Sequence, residues 1–343
     1  MPPSNRSRTG KGFRRLVAAA TILYVLGLLA LLGVVYGPGE DLWPVTLFLF
    51  GPRWVVALPL LVLGPVCLRY DRRLLALLLL ATLGLARPLF GFNVPGGSPG
   101  RSAGRADGET LRLVSWNVGA VRREDDLQRL LEAVEPDIVV LQECDGEDIL
   151  PSGDWHRHDQ RDMCLLSRVP ILDVTSRDRR DMWRRRGSGR IVRYTLDTPL
   201  GHLDLTHLHL ETPREGLEAI LRSGPGGIDR LKAKNEQRDY EARTARAWAD
   251  EGTAPLTVVA GDFNTPVESD IFRQHWRGFQ DCHAEAGWGF GFTKWTRRIG
   301  VRIDHALVGP GLLCLEARTV SGMDGDHSPV VVLIGARTGP SDG

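Results

Sequence analysis

The sequence predicts an α/β (α+β) sandwich of two β-sheets behind a transmembrane helical segment. Three observations lead there. The front quarter of the 343 residues, Leu16 to Phe92, is dominated by Leu, Val, Ala and Gly. From Arg101 onward, charged residues reach the density of an ordinary soluble domain. That later part carries many short strand-like runs with few helical stretches between them, unlike the regular alternation of a simple doubly wound sheet. The formal net charge of +1 averages two unlike parts and says little about partners.

A membrane anchor of about three helices is expected over residues 1–93. Leu16 to Tyr36 is an almost unbroken apolar run, long enough to cross a hydrocarbon core of about 30 Å at about 1.5 Å per helical residue. It exceeds the apolar core of a typical signal peptide, and no good small-residue cleavage site follows it. The second span, about 44–68, is interrupted by Gly51, Pro52 and Arg53, so either a helix starts after Arg53 or that side chain reaches an interface. The third, about 74–92, carries Arg87 and Pro88 near its far end.

Lys and Arg in short loops are retained on the cytoplasmic side. Arg6, Arg8, Lys11, Arg14 and Arg15 precede the first span, and Arg69, Arg72 and Arg73 lie between the second and third. Both clusters are cytoplasmic only with three spans, which makes the protein multi-pass and puts the remainder of the chain outside the cytoplasm. Residues 94–109, rich in Gly, Ser and Pro, read as a flexible linker to a catalytic domain over 110–337.

In that domain, Leu111 to Asn117 alternates as a strand. Leu127, Leu130, Leu131 and Val134 then have helical spacing, with Glu124 to Asp126 favouring the N-terminus and Pro136 ending the helix. Ile138 to Glu143 is a short buried strand. Further strands are expected at 191–196, 203–210, 256–260, 302–308 and 330–334, and Lys232 to Asp250 reads as a long surface helix. The five cysteines lack the spacing of a zinc ribbon or a C-x-x-C motif. Cys67 is in an apolar span. Cys144, Cys164, Cys282 and Cys314 permit disulfides that sequence cannot pair.

Polar residues of catalytic type recur at strand ends: Asn117, Glu143, His207 with His209, Asp262 with Asn264, Asp304, and Asp326 with His327. Such loops are where a rigid scaffold converges groups from distant parts of a chain. Glu143 is a hard oxygen ligand suited to Mg2+ or Mn2+, and Asn117 is placed to share the metal or orient its water. Each residue has a plainer reading. Asp262 to Pro266 could be an Asx turn, Glu143 could cap a turn, and Asn117 or Asp326 could be ordinary turn residues.

Six segments shift that balance: Val114-Ser115-Trp116-Asn117-Val118, Leu141-Gln142-Glu143-Cys144, Thr206-His207-Leu208, Gly261-Asp262-Phe263-Asn264-Thr265-Pro266, Ile303-Asp304-His305, and Gly325-Asp326-His327-Ser328-Pro329-Val330. In this order, across Leu111 to Ile334, the chain resembles the endonuclease/exonuclease/phosphatase superfamily. The resemblance implies a four-layer sandwich, two packed mixed β-sheets flanked by helices. It also implies metal-assisted attack of water on a phosphate ester, with Glu143 and Asn117 at the metal. Asp262 would activate or orient the water and Asn264 would bond a phosphate oxygen. His327 and His207 would brace the phosphate, and Asp326 and Asp304 would fix the imidazoles.

His209 shares a strand face with His207. Such a pair can bind Zn2+ in other folds, but the acidic-His continuation of those folds is missing, so His209 reads as a possible substrate contact. Arg177 to Arg193 holds eight arginines around Trp183, and Trp288, Phe290, Phe292 and Trp295 form an aromatic, Gly-rich cluster. Either could meet nucleic acid or a phospholipid headgroup, or be a solvated loop or local packing. The expected protein is therefore a membrane-integrated phosphoesterase acting on nucleic acid or phospholipid, with a catalytically inactive binding module of the same fold as the alternative. No protein partner is deducible.

Overall fold

The computed structural model describes residues 5–95, 108–119, 124–144, 153–176 and 189–337. Most of the linker expected over 94–109 and of the arginine-rich segment 177–193 falls outside them. The chain divides into two compact units, Met1–Phe92 and Asn93–Gly343.

The first unit contains α1 (Asn5–Tyr36), α2 (Trp43–Phe50), α3 (Leu60–Tyr70) and α4 (Arg72–Phe90). Among the described residues, three stretches are long and apolar enough to cross a membrane: Lys11–Tyr36, Arg53–Tyr70 and Arg72–Phe90. The apolar stretch expected as one span over 44–68 is broken, because Gly51 and Pro52 separate α2 from a 3-10 turn at Arg53–Ala57 that leads into α3. Arg53 explains how the break is tolerated. Its guanidinium donates to Leu49 O at 3.0 and 3.2 Å, occupying a carbonyl freed where α2 ends. Asp71 caps α4 by accepting from Arg73 N–H. Leucines such as Leu61, Leu80 and Leu83 point away from the unit's own interior, as lipid-facing side chains do.

The second unit is built from β1 (Thr110–Asn117), α5 (Glu124–Val134), β2 (Ile138–Gln142), β3 (His156–Gln160), β4 (Met163–Ser167), β5 (Ile171–Ser176), β6 (Arg190–Thr198), β7 (Gly201–His209), α6 (Arg214–Ser223), α7 (Ile228–Asp250), β8 (Leu256–Asp262), α8 (Asp270–His275), β9 (Gln280–Asp281), α9 (Cys282–Ala286), β10 (Lys294–Thr296), β11 (Ile299–Val301), β12 (Asp304–Val308), β13 (Leu312–Thr319) and β14 (Val330–Ala336). One six-stranded sheet runs β13-β14-β1-β2-β4-β3 and the other β5-β6-β7-β8-β12-β9, while β10 and β11 form a separate hairpin. Both large sheets are mixed: β1 pairs parallel with β2 and β7 with β8, and the remaining pairings are antiparallel.

Strand alternation assigns the layers. Leu111 and Leu113 of β1 enter a core between the sheets with Val140, Leu165, Leu205, Val258 and Ile334. Val114 and Trp116, on the opposite face, pack against Leu127, Leu130 and Leu131 of α5. The second sheet's outer face is covered by Ala245, Trp248 and Phe272 of α7 and α8. The result is four layers, helix on sheet on sheet on helix, as expected from the sequence. The helix read as a surface element is less exposed than its composition suggests: α7 buries Asn235, Gln237, Arg238 and Glu241 among its apolar residues. Two disulfides, Cys144–Cys164 and Cys282–Cys314, pair the four cysteines of this unit.

Candidate active site

The parallel pairs aim their C-terminal ends at one edge of the sandwich. Asn117 ends β1, Glu143 follows β2, His209 ends β7 and Asp262 ends β8, with His209 and Asp262 as register partners. The antiparallel strands begin at this edge: Asp304, the first residue of β12, pairs with Asp262, and His327 stands three residues before β14. Each sheet thus contributes three residues, Asn117, Glu143 and His327 from one and His209, Asp262 and Asp304 from the other.

The Asn117 amide joins the two groups. Its Nδ2 donates to Glu143 Oε1 and to Asp262 Oδ2, each at 3.0 Å. Its Oδ1 accepts from Gly119 N–H at 3.0 Å, which holds the amide plane. Two imidazoles flank the carboxylates. His209 Nε2 is 3.8 Å from both Glu143 Oε1 and Asp262 Oδ2, and His327 Nε2 is 3.8 Å from Asp262 Oδ2. Behind His327, Asp304 accepts from Nδ1 at 2.9 and 3.1 Å, which directs Nε2 into the site. Asp304 is itself held by Thr293, whose hydroxyl accepts from the Ile303 and Asp304 N–H groups at 3.0 Å.

The Asp262–Asn264 turn is fastened from below. Asp262 Oδ1 accepts from Asn264 N–H at 2.8 Å, and Asn264 Nδ2 donates to Leu210 O at 2.8 Å. Arg238 of α7 donates to Asn264 O at 3.1 Å and Thr265 Oγ1 at 3.2 Å, and to Asn235 Oδ1 at 3.1 Å. Two site residues hold left-handed backbone, Glu143 with φ 55° and Asn264 with φ 49°. Asn accepts that region readily; a long Glu does so at a cost, which places the strain at the prospective metal ligand. Gly261 is required, since at φ 145° an added Cβ would lie 1.9 Å from Leu208 O.

Electrostatics follow the burial. Burial pushes the Asp262 carboxyl up and the charge of Asp304 adds to this, against the opposing pull of His327 and His209. Burial alone would raise Asp304 too, but the charge and hydrogen bond of His327 hold it below the usual carboxylate range. His327 is raised despite its burial, because Asp304 and then Asp262 favour the imidazolium. Burial, with the His209 charge second, depresses His207 to about 3.

Of the residues singled out from sequence, the structure brings Asn117, Glu143, Asp262, Asn264, Asp304 and His327 to this edge. It does not bring His207. That ring is fully buried between the sheets, 2.8 Å from Gln142 Nε2, and its register partner is Ala260 rather than Asp262. The expected role of His207 at the phosphate does not fit its place in the core, and it is His209 that stands at this edge: two residues along a strand is roughly 7 Å, the distance from core to rim. Asp326 likewise does not fit its expected role. Its carboxylate pairs with Lys294 at the surface, which draws it below its ordinary range against its burial, and it is Asp304 that bonds the His327 imidazole. Sequence reading missed Arg238, hidden in a helix that looked solvent-exposed, and Thr293, which no motif marks.

The residues present fit a hard divalent cation. Two carboxylates converge on the Asn117 amide within hydrogen-bond distance, and no soft sulfur ligand is among them; the amide faces them with Nδ2, so it would offer its oxygen to a cation only by turning over and releasing Gly119 N–H. Asp262, Asp304 and His327 also lie within 4.8 Å of one another. Both oxygens of Asp304 are engaged by His327, however, so a cation there would have to break that pair.

Residues 114–341 match the model of the Endonuclease/Exonuclease/phosphatase family. Among solved structures, a humanized TDP2 from D. rerio has a TM-score of 0.52 at 16% identity, covering 66% of this chain and 99% of that one. The 3′ phosphatase NExo from Neisseria, bound to product DNA hairpin, has a TM-score of 0.49 at 20% identity, covering 65% and 98%. An endonuclease/exonuclease/phosphatase family protein from Bacteroides thetaiotaomicron has 0.49 at 15%, covering 66% and 95%. The curated proteins yield no match. At 16% identity the likeness to the D. rerio structure is one of fold.

Proposed function

The chain belongs to the Endonuclease/Exonuclease/phosphatase family, and from that membership we propose that it is a membrane-anchored, Mg2+- or Mn2+-dependent phosphoesterase hydrolysing a phosphodiester or phosphomonoester. The observation that carries this reading is the Asn117 amide bonded to both Glu143 and Asp262, with His209 and His327 on the flanks. A phosphate ester repels nucleophiles by its own charge, so the site must neutralise that charge, take a proton from water and help the leaving oxygen depart.

Glu143 and Asn117 would hold the cation, whose role when bound is to withdraw charge from the phosphate oxygens. Asp262 is positioned as the proton acceptor for water, its second oxygen being fixed by Asn264 N–H. His327, oriented by Asp304, presents Nε2 to the phosphate as a cationic donor, and His209 presents its Nε2 from the other sheet. The alternative, an inactive binding module, would have dispensed with some of these groups, and all are present.

Two features support an extracytoplasmic catalytic unit: its four cysteines are paired in disulfides, and the basic clusters flank the apolar helices on the side opposite to it in a three-span count. The test is hydrolysis of bis-(p-nitrophenyl) phosphate by the full chain in detergent, with Mg2+, Mn2+ or chelator. Activity that needs metal and disappears in Glu143→Ala and Asp262→Asn supports the assignment; equal activity in chelator would sink it.

A further inference from the structure

We infer that Trp288, Phe290 and Trp295, with Arg297 and Arg298, form a bilayer-interface surface that presents the active-site mouth to phospholipid headgroups, making a membrane lipid the phosphate-ester substrate. This rests on the phosphoesterase reading above and on the apolar helices being membrane spans.

Exposure comes first. Among the described residues from Asn93 onward, six large hydrophobics are exposed: Val94, Leu172, Leu221, Trp288, Phe290 and Trp295. Four of them are joined through one loop. Asn93 and Gly289 exchange backbone hydrogen bonds at 2.8 and 2.9 Å, placing Val94 beside Trp288 and Phe290. Phe290 stacks on Phe292 at 5.0 Å, and Phe292 meets Trp295 edge-on at 5.4 Å. Trp288 is 68% exposed, which is extreme for a side chain of that size.

The loop is built to hold these rings outward. Asn93 Nδ2 donates to His283 O and Gly287 O at 2.7 Å, and His283 Nε2 lies 3.2 Å from Gly289 O. Gly291 lies against the His283 ring so closely that a Cβ would be 2.3 Å from it. These bonds fix the backbone from which the aromatic rings project.

Connectivity supplies the partner. Asn93 is the third residue after Phe90, where the last apolar helix ends. Three residues of extended chain reach roughly 10 Å at most, so whatever membrane receives that helix has its interface within that reach of Asn93 and the loop bonded to it. Trp beside Arg is the composition that settles at headgroup depth. Arg297 and Arg298, both exposed at the tip of the β10–β11 hairpin, add attraction for anionic lipid.

The same hairpin is bonded to the catalytic groups. Trp295 N–H donates to Asp326 O at 2.7 Å and Ser328 N–H to Thr293 O at 2.6 Å, while Thr293 also holds Asp304. Lys294 forms a β-bridge with His327. A ridge seated in headgroups therefore delivers lipid phosphate to His327, whereas a nucleic-acid strand would have to compete with the bilayer for that rim.

The experiment uses the full chain in nanodiscs of phosphatidylethanolamine and phosphatidylglycerol, with Trp288→Ala, Trp295→Ala and Arg297→Ala/Arg298→Ala beside the parent. Brominated lipids should quench a tryptophan component that is missing from the two Trp variants. Phosphatidylglycerol turnover should fall about tenfold in each variant, while hydrolysis of soluble bis-(p-nitrophenyl) phosphate is unchanged; Trp295→Phe should recover most of the loss. Unquenched Trp288 and Trp295, undiminished lipid turnover in the variants, or a loss seen with single-stranded DNA instead would overturn the inference. Failure of the parent on bis-(p-nitrophenyl) phosphate would instead count against the phosphoesterase reading, and lipid as substrate would fall with it.

Discussion

His209 and Asp262 are register partners on adjacent parallel strands, with Nε2 3.8 Å from Oδ2, while His207, on the same strand face, is paired with Ala260 one repeat deeper. The two imidazoles are therefore expected to respond to mutation differently. His209→Ala should lower kcat by about 10²-fold or more, the usual worth of a positioned proton-transfer or charge-stabilising group, with the melting temperature nearly unchanged. His207→Ala should act mainly on stability, by about 2 kcal/mol from a lost hydrogen bond and an internal void. Steady-state kinetics alongside thermal denaturation separate the two, and equal kinetic losses would contradict the assignment.

Buried neutral imidazoles also set an acid limit. Burial holds His207 down to about 3 and, with the Arg302 charge, His305 to about 4. An unfolded His takes its proton near 6.5, so below that pH the unfolded chain binds protons the folded chain refuses. Their stabilising contribution is complete above about pH 6.5 and is lost as pH falls toward 4, at up to about 1.4 kcal/mol per pH unit for each ring. Urea midpoints at pH 7 and pH 5 should diverge, and His207→Gln should reduce the divergence by about half.

On the proposed reading, metal binding and phosphate stabilisation should separate by residue. Glu143→Gln should weaken Mn2+ binding at least about tenfold in calorimetry, whereas His327→Ala should leave it within about threefold while lowering kcat by about 10²-fold. The reverse pattern would move the cation to the Asp262, Asp304 and His327 group.

Arg238 is 1% exposed and bonds the Asn264 turn from beneath. Arg238→Leu leaves Asn264 O and Thr265 Oγ1 without that donor, costing about 3 kcal/mol and at least tenfold in kcat. Arg238→Lys should not restore activity, since an ammonium cannot make the forked contact.

Reduction should touch both stability and the site. Closing loops with separations of 20 and 32 residues, the two disulfides contribute about 3 kcal/mol each in the chain-entropy account. Cys144 directly follows Glu143, so Cys144→Ser with Cys164→Ser should also lower metal affinity, and Cys282→Ser with Cys314→Ser should not. Calorimetry of both pairs decides this.

The layers and most of the site were legible because their signals are local. Strand alternation at Leu111 to Asn117 and helical spacing at Leu127 to Val134 report burial directly. Glu143 and Asp262 stand at the ends of apolar runs where parallel strands place functional groups. What the sequence concealed was depth and distance. His207 and His209 are chemically alike, and only the β7–β8 register tells core from rim. Strands β3 and β5 carry polar or irregular patterns, edge strand β3 being largely exposed, and β13 contains a bulge between Cys314 and Glu316 that breaks its alternation. Arg238 looked like a solvated helix charge because its partners arrive from a loop 26 residues away.

The division of the site between the two sheets would make the proposed catalysis a gauge of how those sheets are seated on one another. Asn117 spans the seam, and its two 3.0 Å bonds tolerate little sliding of one sheet against the other. A shortened side chain deep in the intervening core, at Leu165 or Leu205, touches no substrate and leaves every strand paired. It would nonetheless let the halves drift, and on warming the chain would fall silent as a catalyst while its circular dichroism still reported an intact sandwich.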